Sequence, residues 1–488
     1  MKISRVTFAQ ISRAYEREEM TDIGKSEVVP GTRVAELRAK FRDRTAQVGV
    51  IGLGYVGLPL ALLCAKAGLR ATGFDIDPHK TEKLQRGESY IHHIPSATLA
   101  EAVKQKRFEA TDNFTRLEKM DAVIICVPTP LDKHREPDMS FVLNTAKMVG
   151  EHLQAGQLIV LESTTYPGTT DEEMLAILEK PGLKCPVSRY TTDGATVAAS
   201  DAVEPDFFLA FSPEREDPGN KNFRTQQVPK IVGGVNAASA LAAQALYQSI
   251  FEHTHLVSSS RAAEMTKLLE NIYRCVNIAL VNELKLLCMR MDIDIWEVIA
   301  AAKTKPFGFN AFYPGPGLGG HCIPVDPFYL TWKAREYEFP TRFIELAGEI
   351  NTAMPHHVVN HLAVALGERG KTLSGARVLV LGAAYKKDID DVRESPALKI
   401  IELLGAHGAV VDYHDPFVPR LVKMRKYDLG LGSIPLTAES LRAHDCSLIV
   451  TDHSNVDYDM VVTESPLVVD TRNATSNVTH HREKIVLC

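Results

Sequence analysis

Three glycines with a fixed spacing follow a short apolar run, QVGVI. Gly52, Gly54 and Gly57 form the pattern G-x-G-x-x-G, with Tyr55 and Val56 between the last two. The first glycine of such a pattern permits a tight turn, the second lets a pyrophosphate approach the backbone, and the third lets a helix pack on a strand. Backbone N–H groups at the helix N-terminus then face the phosphates. The pattern predicts a dinucleotide site, with a glycine-rich turn used only for packing as the alternative.

An acidic residue indicates which dinucleotide such a site takes. Asp75 ends the next strand-like run, 18 residues after Gly57. Its carboxylate can accept hydrogen bonds from both hydroxyls of the adenosine ribose, whereas it would repel a 2′-phosphate. The predicted cofactor is therefore NAD rather than NADP.

One cysteine stands in a loop that is suited to nucleophilic chemistry. Cys322 lies within PGPGLGGHCIPVD, where glycines permit close approach of a ligand and a helical stretch begins. A helix N-terminus lowers the pKa of a thiol, and a thiolate can add to an aldehyde. The resulting thiohemiacetal can lose a hydride to NAD and leave a thioester that water cleaves. A buried, unreactive cysteine is the alternative, and the other seven cysteines fit that alternative better.

A lysine and an amide share one face of a predicted helix. Lys267 and Asn271 are four residues apart, so both side chains leave the helix on the same side. An ammonium group beside an amide can stabilise an oxyanion, or activate water if the lysine pKa is lowered. On the spacing alone, a solvated pair on a helix surface is the simpler interpretation.

The elements that position these residues follow from hydrophobic periodicity. The predicted strands are 47–51, 70–74, 122–127, 158–161, 207–211, 231–232, 377–382, 409–413, 447–451 and 467–470. The predicted helices are 56–67, 140–153, 170–179, 261–291, 396–404, and most of 295–350 apart from a break rich in Gly and Pro at 307–327. Residues 1–45 form a polar extension, mobile or folded as a short surface helix, and 186–205 a surface loop.

Alternating strands and helices predict an α/β fold. Its parts are an N-terminal NAD-binding Rossmann domain over 46–255, a central helical domain over 256–370, and a C-terminal Rossmann-like domain over 371–488. The long helix 261–291 is apolar around much of its circumference. We therefore expect it to be buried on several sides, between domains or across the interface of a dimer.

The second α/β block lacks the glycine fingerprint. Its first strand is followed by GAAYKK at 382–387, where alanine and tyrosine side chains crowd the place that a pyrophosphate would take. Lys386, Lys387 and Arg393 fit a different anionic ligand, such as a nucleoside diphosphate. A solvated, charged loop is equally compatible with this pattern.

Composition excludes several classes of protein. The chain has 488 residues, 45% of them hydrophobic, and a formal net charge of −6, which argues against a surface for nucleic acid. It contains no apolar run long enough to span a membrane and no apolar signal segment at its start. The eight cysteines lack metal-type spacing, so we expect no metal site and a reducing, cytoplasmic location.

Six motifs together resemble the nucleotide-sugar 6-dehydrogenases, the UDP-glucose/GDP-mannose dehydrogenase family, over residues from about 46 to about 475. They are, in order, VGVIGLGYVGLPLA, ESTTYPGTT, FSPEREDPGN, KLLEN, PGPGLGGHCIPVDPFYLTWKA and YKKDIDDVRESPALKI. The amino-acid sequence around Cys322 is most similar to that of the UDP-N-acetylglucosamine 6-dehydrogenase branch. The resemblance implies oxidation of the C6 alcohol of a UDP-sugar to a carboxylate, with two NAD consumed per sugar, by a homodimer or a higher homo-oligomer.

The resemblance also implies a role for each candidate residue. Cys322 would be the nucleophile, and Lys267 and Asn271 would stabilise the alkoxide and thiohemiacetal oxygens. Asp326 and Thr164 would position or activate water for the thioester step. Beyond the glycine motif, the implied cofactor-binding positions are Asp75, Lys80, Thr129, Thr164 and Arg393.

Glu214 matches the glutamate that the family uses in thioester hydrolysis, and the resemblance places it against the substrate as well. The other implied substrate-binding positions are Lys267, Asn271, Tyr313, Gly315, Gly317, Leu318, Gly319, Tyr385, Lys386 and Arg472. Many UDP-glucose enzymes of the family carry a lysine where this chain has Val325, which weakens a UDP-glucose assignment. UDP-N-acetylglucosamine is the expected substrate, with UDP-glucose, UDP-N-acetylgalactosamine and UDP-N-acetylmannosamine as alternatives.

Two other functional classes stay open on the residues alone. A single-step dehydrogenase of a small hydroxy acid would share the first block and a helical domain, but it would need neither Cys322 nor a second nucleotide-binding unit. A dinucleotide sensor without catalytic activity would need none of the reactive side chains, so the presence of Cys322, Lys267, Asn271 and Asp326 argues against it.

Overall fold

The computed structural model describes residues 31–91, 94–132, 134–189, 204–215, 224–320, 322–424 and 426–488. Two compact units divide these residues: the first takes those within 1–129, 139–216 and 222–267, and the second those within 130–138 and 268–488. Most of the predicted surface loop 186–205 and residues 1–30 of the predicted extension lie outside the described residues.

The first unit is built on one eight-stranded sheet. Its strands are β1 (Gln47–Ile51), β2 (Arg70–Phe74), β3 (Phe108–Thr111), β4 (Ala122–Ile125), β5 (Leu158–Leu161), β6 (Phe208–Phe211), β7 (Lys230–Gly234) and β8 (Thr254–Leu256). The spatial order is β3-β2-β1-β4-β5-β6-β7-β8, and neighbours are parallel except β6 and β7. The chain reverses its direction of winding between β1 and β4, which confirms the predicted doubly wound fold.

Seven α-helices of the first unit lie among the described residues, and some of their ends are set by residues with recognisable capping roles. They are α1 (Arg33–Arg42), α2 (Gly57–Lys66), α3 (Pro78–Gln85), α4 (Ser96–Lys104), α5 (Ser140–His152), α6 (Leu175–Leu178) and α7 (Ala237–Gln248). Asp77 caps α3 by accepting a hydrogen bond from the N–H of His79. Just after α2, Gly68 takes a φ of +95°, which suits glycine and ends the helix.

The polar segment before β1 ends in a packed helix. Thr32 caps α1 by accepting a hydrogen bond from the N–H of Ala35. Val34, Leu37 and Phe41 are buried on one face of α1, and the helix packs against α7. This part of the predicted extension is therefore a component of the first hydrophobic core.

A single helix of 31 residues, α8 (Ser260–Arg290), confirms the long predicted helix. Its residues up to Lys267 belong to the first unit, and the remainder belongs to the second. The second unit continues with α9 (Ile295–Lys303), α10 (Asp326–Ala334) and α11 (Arg342–Gly367). The segment between α9 and α10 contains no helix among its described residues, as its glycines and prolines predict.

A second, five-stranded sheet completes the second unit. Its strands are β9 (Arg377–Leu381), β10 (Val410–His414), β11 (Cys446–Ile449), β12 (Val468–Asp470) and β13 (Ile485–Leu487), and its helices are α12 (Pro396–Ala406), α13 (Ala438–Arg442) and α14 (Tyr458–Glu464). All neighbours are parallel in the order β10-β9-β11-β12-β13. Val378 and Val380 enter one buried cluster, and Leu379 and Leu381 enter another, because alternate side chains of a strand face opposite sides of the sheet.

Two kinds of feature are absent from the described residues. No helix there combines the length and the apolar character that crossing a bilayer requires. No cluster of three or more His, Cys, Asp and Glu side chains there is arranged to hold a metal ion.

Candidate active site

The glycine motif of the first unit has the geometry of a pyrophosphate cradle. Gly52 has a φ of +91°, a conformation that side chains disfavour, and a Cβ on Gly57 would overlap the carbonyl oxygen of Gly52. A Cβ on Gly54 would meet nothing within 4 Å, so the backbone is open there. Tyr55 and Val56 form the turn that leads into α2, with Val56 at its N-cap. The three glycines thus fit the roles predicted for them in NAD binding.

The predicted ribose acceptor lies directly beside this loop. The Asp75 carboxylate accepts hydrogen bonds from the N–H of Leu53 at 3.0 Å and of Asp77 at 3.0 Å. The Lys80 ammonium lies 3.2 Å from the same carboxylate, so the predicted pair of Asp75 and Lys80 is in contact. This arrangement holds a negative charge at the end of β2, where it would favour ribose hydroxyls over a phosphate.

Two predicted threonines meet at the carboxyl edge of the first sheet. The Thr129 hydroxyl, after β4, donates to the backbone oxygen of Thr164, after β5, at 2.7 Å. Ligands of doubly wound sheets bind at this edge, so both threonines lie where their predicted role requires.

An acid that the sequence analysis does not single out anchors the loop that contains Thr164. The Glu264 carboxylate accepts hydrogen bonds from the N–H of Gly168 at 2.8 Å, and from the N–H and hydroxyl of Thr170 at 2.9 and 2.7 Å. Burial raises the pKa of Glu264 to about 8, although these hydrogen bonds oppose the shift. Glu264 precedes Lys267 by one turn of α8, and this helical spacing is the signal that could have identified it.

The predicted pair of Glu214 and Lys267 is brought together in the first unit. The Lys267 ammonium donates to the backbone oxygen of Glu214 at 2.5 Å and lies 3.5 Å from its carboxylate. Burial raises the pKa of Glu214, while Lys267 and Lys230 lower it. Lys230 in turn forms a buried ion pair with Glu162 at 2.9 Å. A buried carboxyl with a raised pKa beside an ammonium group is suited to proton transfer.

Asn271 follows Lys267 by one turn on α8 and belongs to the second unit. The Asn271 side-chain amide donates to the carboxylate of Asp326, and both side chains are buried. The amide oxygen of Asn271 accepts a hydrogen bond from Arg274, which sequence reasoning missed. Asn271 therefore fixes the orientation of a buried carboxylate at the start of α10.

Cys322 lies on the turn that opens α10. Its carbonyl oxygen accepts hydrogen bonds from the N–H of Val325 at 3.0 Å and of Asp326 at 2.8 Å, and its side chain is half-buried. This confirms its predicted place in a loop at a helix start. Burial raises the thiol pKa of six other cysteines, which makes them poor nucleophiles: Cys64, Cys126, Cys185, Cys275, Cys446 and Cys488.

The glycine-rich 315–320 loop packs on residues of the second unit that were predicted to bind substrate. The N–H of Gly315 donates to the side-chain oxygen of Asn282 at 2.9 Å. A Cβ on Gly315 would lie 2.5 Å from a guanidinium nitrogen of Arg472, and one on Gly319 would lie 2.5 Å from the Cβ of Tyr385. Only glycines permit these approaches, so the loop and the predicted residues Tyr385 and Arg472 form one surface.

The loop after β9 is held by its own acidic residues. The N–H of Tyr385 donates to the backbone oxygen of Asp391 at 2.9 Å, and Lys386 beside it is half-buried. The Arg393 guanidinium lies 2.6 Å from the Asp391 carboxylate, and the backbone oxygen of Arg393 accepts from the N–H of Gly320 at 3.1 Å. Arg393, predicted to bind cofactor, is thus a residue of the second unit that connects this loop to the glycine-rich loop.

The ribose-acceptor position of the second sheet is filled by the protein's own groups. Asp415, which ends β10 as Asp75 ends β2, accepts hydrogen bonds from the N–H of Ala383 at 2.7 Å and of Ala384 at 2.9 Å. His453 lies 3.0 Å from the same carboxylate. The other carboxylate oxygen accepts from the N–H of Phe417 and of Val418. Asp415 therefore has more protein partners than Asp75, and the predicted loss of the dinucleotide fingerprint extends to the acidic position.

The remaining predicted substrate positions lie at the two ends of the glycine-rich segment. The Tyr313 ring stacks on Trp296, with ring centroids 6.1 Å apart, and the residue is 48% exposed. Gly317 has a φ of +138°, which explains why glycine stands there. Leu318 packs against a small buried cluster formed by α8 and α11.

Profiles of three domains of one family match this chain. All belong to the UDP-glucose/GDP-mannose dehydrogenase family: the NAD binding domain over residues 46–251, the central domain over 261–353 and the UDP binding domain over 379–477. The three ranges cover most of the chain in the order that the motifs predict.

Individual relatives agree with the profiles. A UDP-N-acetyl-D-glucosamine 6-dehydrogenase from Pseudomonas aeruginosa is 35% identical over 410 residues, covering 84% of this chain and 90% of that protein. A UDP-N-acetyl-D-mannosamine dehydrogenase from Escherichia coli K12 is 33% identical over 416 residues, covering 84% and 94%. Among solved structures, a UDP-D-ManNAc dehydrogenase from Pyrococcus horikoshii is similar with a TM-score of 0.78 and 31% identity, covering 90% of this chain and 98% of that one.

Proposed function

The chain belongs to the UDP-glucose/GDP-mannose dehydrogenase family, and we propose that it oxidises the C6 alcohol of UDP-N-acetylglucosamine to a carboxylate. Its membership makes it an NAD-dependent UDP-sugar dehydrogenase. The observation that carries the chemistry is the turn at Cys322, which leads into a buried Asp326 held by Asn271. Alcohol to acid removes four electrons, so each sugar consumes two NAD and one water.

NAD would supply the hydride acceptor for both oxidations. The open backbone at Gly54 would receive its pyrophosphate, and Asp75 would accept the ribose hydroxyls. Lys80 would complete the ribose site, because its ammonium group already contacts Asp75. Thr129 and Thr164 stand at the ends of neighbouring strands, where the reactive end of the cofactor would lie.

Lys267 and Glu214 would carry out the proton transfers of the first oxidation. Once the Lys267 ammonium group has released a proton to solvent, the neutral amine would accept the C6 hydroxyl proton, directly or through a water, as the hydride leaves C6. The buried Glu214 carboxyl beside Lys267 can exchange a proton with it, because burial raises the pKa of Glu214 toward the operating pH. The product of this step is an aldehyde at C6.

Cys322 would capture the aldehyde before it is released. Its thiolate forms a bond to C6, and the carbonyl oxygen becomes a hydroxyl of the thiohemiacetal, stabilised by Lys267 and Asn271. The proton of this hydroxyl would come from Lys267. Loss of the second hydride from C6, with return of the hydroxyl proton to Lys267, would leave a thioester. Water, positioned by Asp326 and Thr164 and deprotonated by Glu214, then attacks C6, and the C–S bond breaks to release the carboxylate.

The UDP moiety would bind on the surface shared by the 315–320 loop and the loop after β9. Tyr385 and Arg472 already pack against this glycine-rich loop. Lys386 adds a cation beside Tyr385, and cations of this kind pair with diphosphates. Tyr313, largely exposed and stacked on Trp296, offers an aromatic face for the base.

The proposed sugar is inferred from the names of similar proteins and not from the shape of a binding pocket. The relative named for UDP-N-acetyl-D-glucosamine is 35% identical, and that named for UDP-N-acetyl-D-mannosamine is 33% identical. UDP-N-acetylmannosamine is therefore the second candidate, supported by that relative and by the similar Pyrococcus horikoshii structure. UDP-glucose is less favoured because Val325 replaces the lysine typical of those enzymes.

The test is the number of NADH formed per sugar, with UDP-N-acetylglucosamine, UDP-N-acetylmannosamine and UDP-glucose assayed side by side. We expect two NADH per UDP-N-acetylglucosamine and little from the other two. A preference for another sugar would keep the mechanism and replace the substrate. One NADH per sugar would mean that the aldehyde is released, and Cys322 would lose its role.

Two cysteine variants make this test specific. Cys322→Ser should stop uronate formation while leaving UDP-sugar binding intact, because a hydroxyl is a far weaker nucleophile than a thiolate. Cys288→Ser is the matched control, since Cys288 is also half-buried but lies on α8 outside the site. Uronate production at the full rate by Cys322→Ser would contradict the thioester route.

A homodimer is the proposed assembly, and the cytoplasm is the proposed location. Leu269, Tyr273, Leu280, Leu284 and Leu287 form a stripe along α8, and each is at least 40% exposed in the single chain. An apolar stripe of this length is typical of an interface. The eight cysteines form no disulfide, which suits a reducing compartment.

A further inference from the structure

One lysine of α8 is buried with no partner for its charge. Lys285 is 3% exposed, and among the described residues its ammonium nitrogen has no hydrogen-bond partner. Taking an ammonium group out of water without a counter-charge is strongly unfavourable. An anion that arrives beside Lys285 would offset this cost.

Lys285 shares one side of α8 with the residue that holds the loop proposed to receive UDP. Lys285 follows Asn282 by one turn on the same side of α8, and the Asn282 side chain holds the N–H of Gly315 at 2.9 Å. Gly315 lies against the guanidinium group of Arg472, since a Cβ on this glycine would lie 2.5 Å from a guanidinium nitrogen. Arg472 thus lies against the glycine-rich loop, and it is close enough to Lys285 to add to the lowering of that lysine's pKa by burial.

The carboxylates near Lys285 and Arg472 act on these cations only from a distance: Asp470 acts on both and Asp452 on Arg472. Arg472 follows β12 at the carboxyl edge of the second sheet, is partly exposed, and donates its Nε–H to the backbone oxygen of Val450 at 2.9 Å. The Asp470 carboxylate is occupied by the N–H of Arg472 and by the N–H and hydroxyl of Thr475. Within the described part of the chain, neither Lys285 nor Arg472 has a carboxylate at ion-pair distance.

The remaining groups near Lys285 add no stable negative charge. They are the buried thiol of Cys488 and the imidazole of His361 on α11. Burial raises the pKa of the Cys488 thiol and lowers the pKa of Lys285. The Nε2 of His361 is a second buried nitrogen that has no partner among the described residues.

We propose that Lys285 is a further phosphate-binding residue, whose charge is balanced when the diphosphate of the substrate reaches Arg472 and the backbone of the 315–320 loop. This inference rests on the proposed function, because it assumes that a nucleoside diphosphate is the ligand. Lys285 then acts on the phosphates from behind the loop, in a region of low dielectric where its attraction is little screened.

This role predicts opposite effects of one substitution on stability and on binding. Lys285→Met removes an unpaired buried charge, so the unliganded protein should melt at the same temperature as the wild type or higher. The same variant should bind UDP roughly tenfold or more weakly, as expected for the loss of one interaction with a charged group. Uridine, which lacks the phosphates, should bind both proteins equally.

The experiment measures UDP, uridine and inorganic phosphate affinities by calorimetry, and Tm without ligand, for wild type, Lys285→Met and Lys285→Gln. Lys333→Met is the matched control, because Lys333 is a buried lysine of the same unit that is paired with Glu336 at 2.7 Å. This control should lower Tm and leave UDP affinity unchanged. Lys285→Gln repeats the charge removal with a polar side chain, in case the methionine variant does not fold.

The outcomes separate this inference from the proposed function. Wild-type UDP affinity in both Lys285 variants, or an equal loss of UDP and uridine binding together with a lower Tm, would overturn the role of Lys285 while leaving the dehydrogenase intact. A loss confined to inorganic phosphate would mean a separate anion site and would overturn the diphosphate assignment. A wild-type protein that binds no UDP would overturn the proposed function itself.

Discussion

Burial controls the protonation of the acids that surround Lys267. Glu214 lies against the Lys267 ammonium and Glu264 lies one turn before it on α8, and burial raises the pKa of both carboxyls. Their consequences differ, since Glu214 contacts the proposed proton carrier whereas Glu264 holds a loop. We therefore expect substitution of Glu264 to change the stability of the protein and substitution of Glu214 to change its proposed catalysis.

The pH dependence of stability should contain a contribution from Glu264. Its pKa rises from an ordinary 4.5 to about 8 on folding, so between these values the folded state holds a proton that the unfolded state has lost. Stability from this group is therefore complete below about pH 4.5 and decreases as the pH rises toward about 8. Glu264→Gln should flatten the change of Tm between about pH 5 and about pH 8.

The control for this prediction is Glu283→Gln, an exposed glutamate on the same helix. It should leave the pH profile of Tm unchanged. If Glu264→Gln followed the wild-type profile throughout this range, the carboxyl would be ionised in the folded state. The hydrogen bonds from Gly168 and Thr170 would then outweigh burial.

At the scale of elements, two glycines of the turn between β1 and α2 have different roles. One is required by the fold and the other by the proposed cofactor binding. A Cβ on Gly57 would overlap the Gly52 carbonyl oxygen, whereas a Cβ on Gly54 would meet no protein atom within 4 Å. Gly57 is thus required by the packing of helix on strand. Gly54 is open toward the side where the pyrophosphate would bind.

Two alanine variants of this turn should behave differently. Gly57→Ala should lower Tm and weaken NAD binding together, because the turn must shift to accept the Cβ. Gly54→Ala should leave Tm close to the wild type and weaken NAD binding about tenfold or more, because the new methyl group occupies the pyrophosphate position. Calorimetric titration with NAD and thermal melting check both. Unchanged NAD affinity in Gly54→Ala would place the cofactor elsewhere.

At the scale of the whole molecule, the proposed catalytic residues and the proposed interface both lie on α8. It carries Lys267 and Asn271 near its start, and an exposed apolar stripe further along. A single chain with such a stripe would associate in water to bury it. The formal net charge of −6 is too small to prevent that association.

The dimer prediction is tested by charge substitution on this stripe. Leu280→Glu combined with Leu284→Glu should convert a dimer into a monomer at micromolar concentration, because two buried carboxylates would be left without partners. Sedimentation velocity measures the change. Val422→Glu is the control, since Val422 is 63% exposed but lies outside α8. A wild-type monomer at this concentration would refute the interface.

The sequence by itself determined the features that depend on neighbours along the chain. The glycine turn with Asp75, the strands of the two parallel sheets, the 31-residue helix and the loop–helix junction at Cys322 all follow from local spacing and periodicity. Local patterns were insufficient for β3, β8 and β13. Each of β3 and β8 contains an exposed residue and β13 is only half-buried, so they lack the fully buried apolar run that identified the similarly short β5.

Only the tertiary structure decided which distant side chains share a site. Asn271 and Asp326 are 55 residues apart, and Glu264 and Gly168 are 96 apart, yet each pair is joined by a buried hydrogen bond. Lys285 looks like any lysine of an amphipathic helix until the fold shows its ammonium group buried without a hydrogen-bond partner among the described residues. Burial and long-range pairing depend on how elements pack, and no local period encodes them.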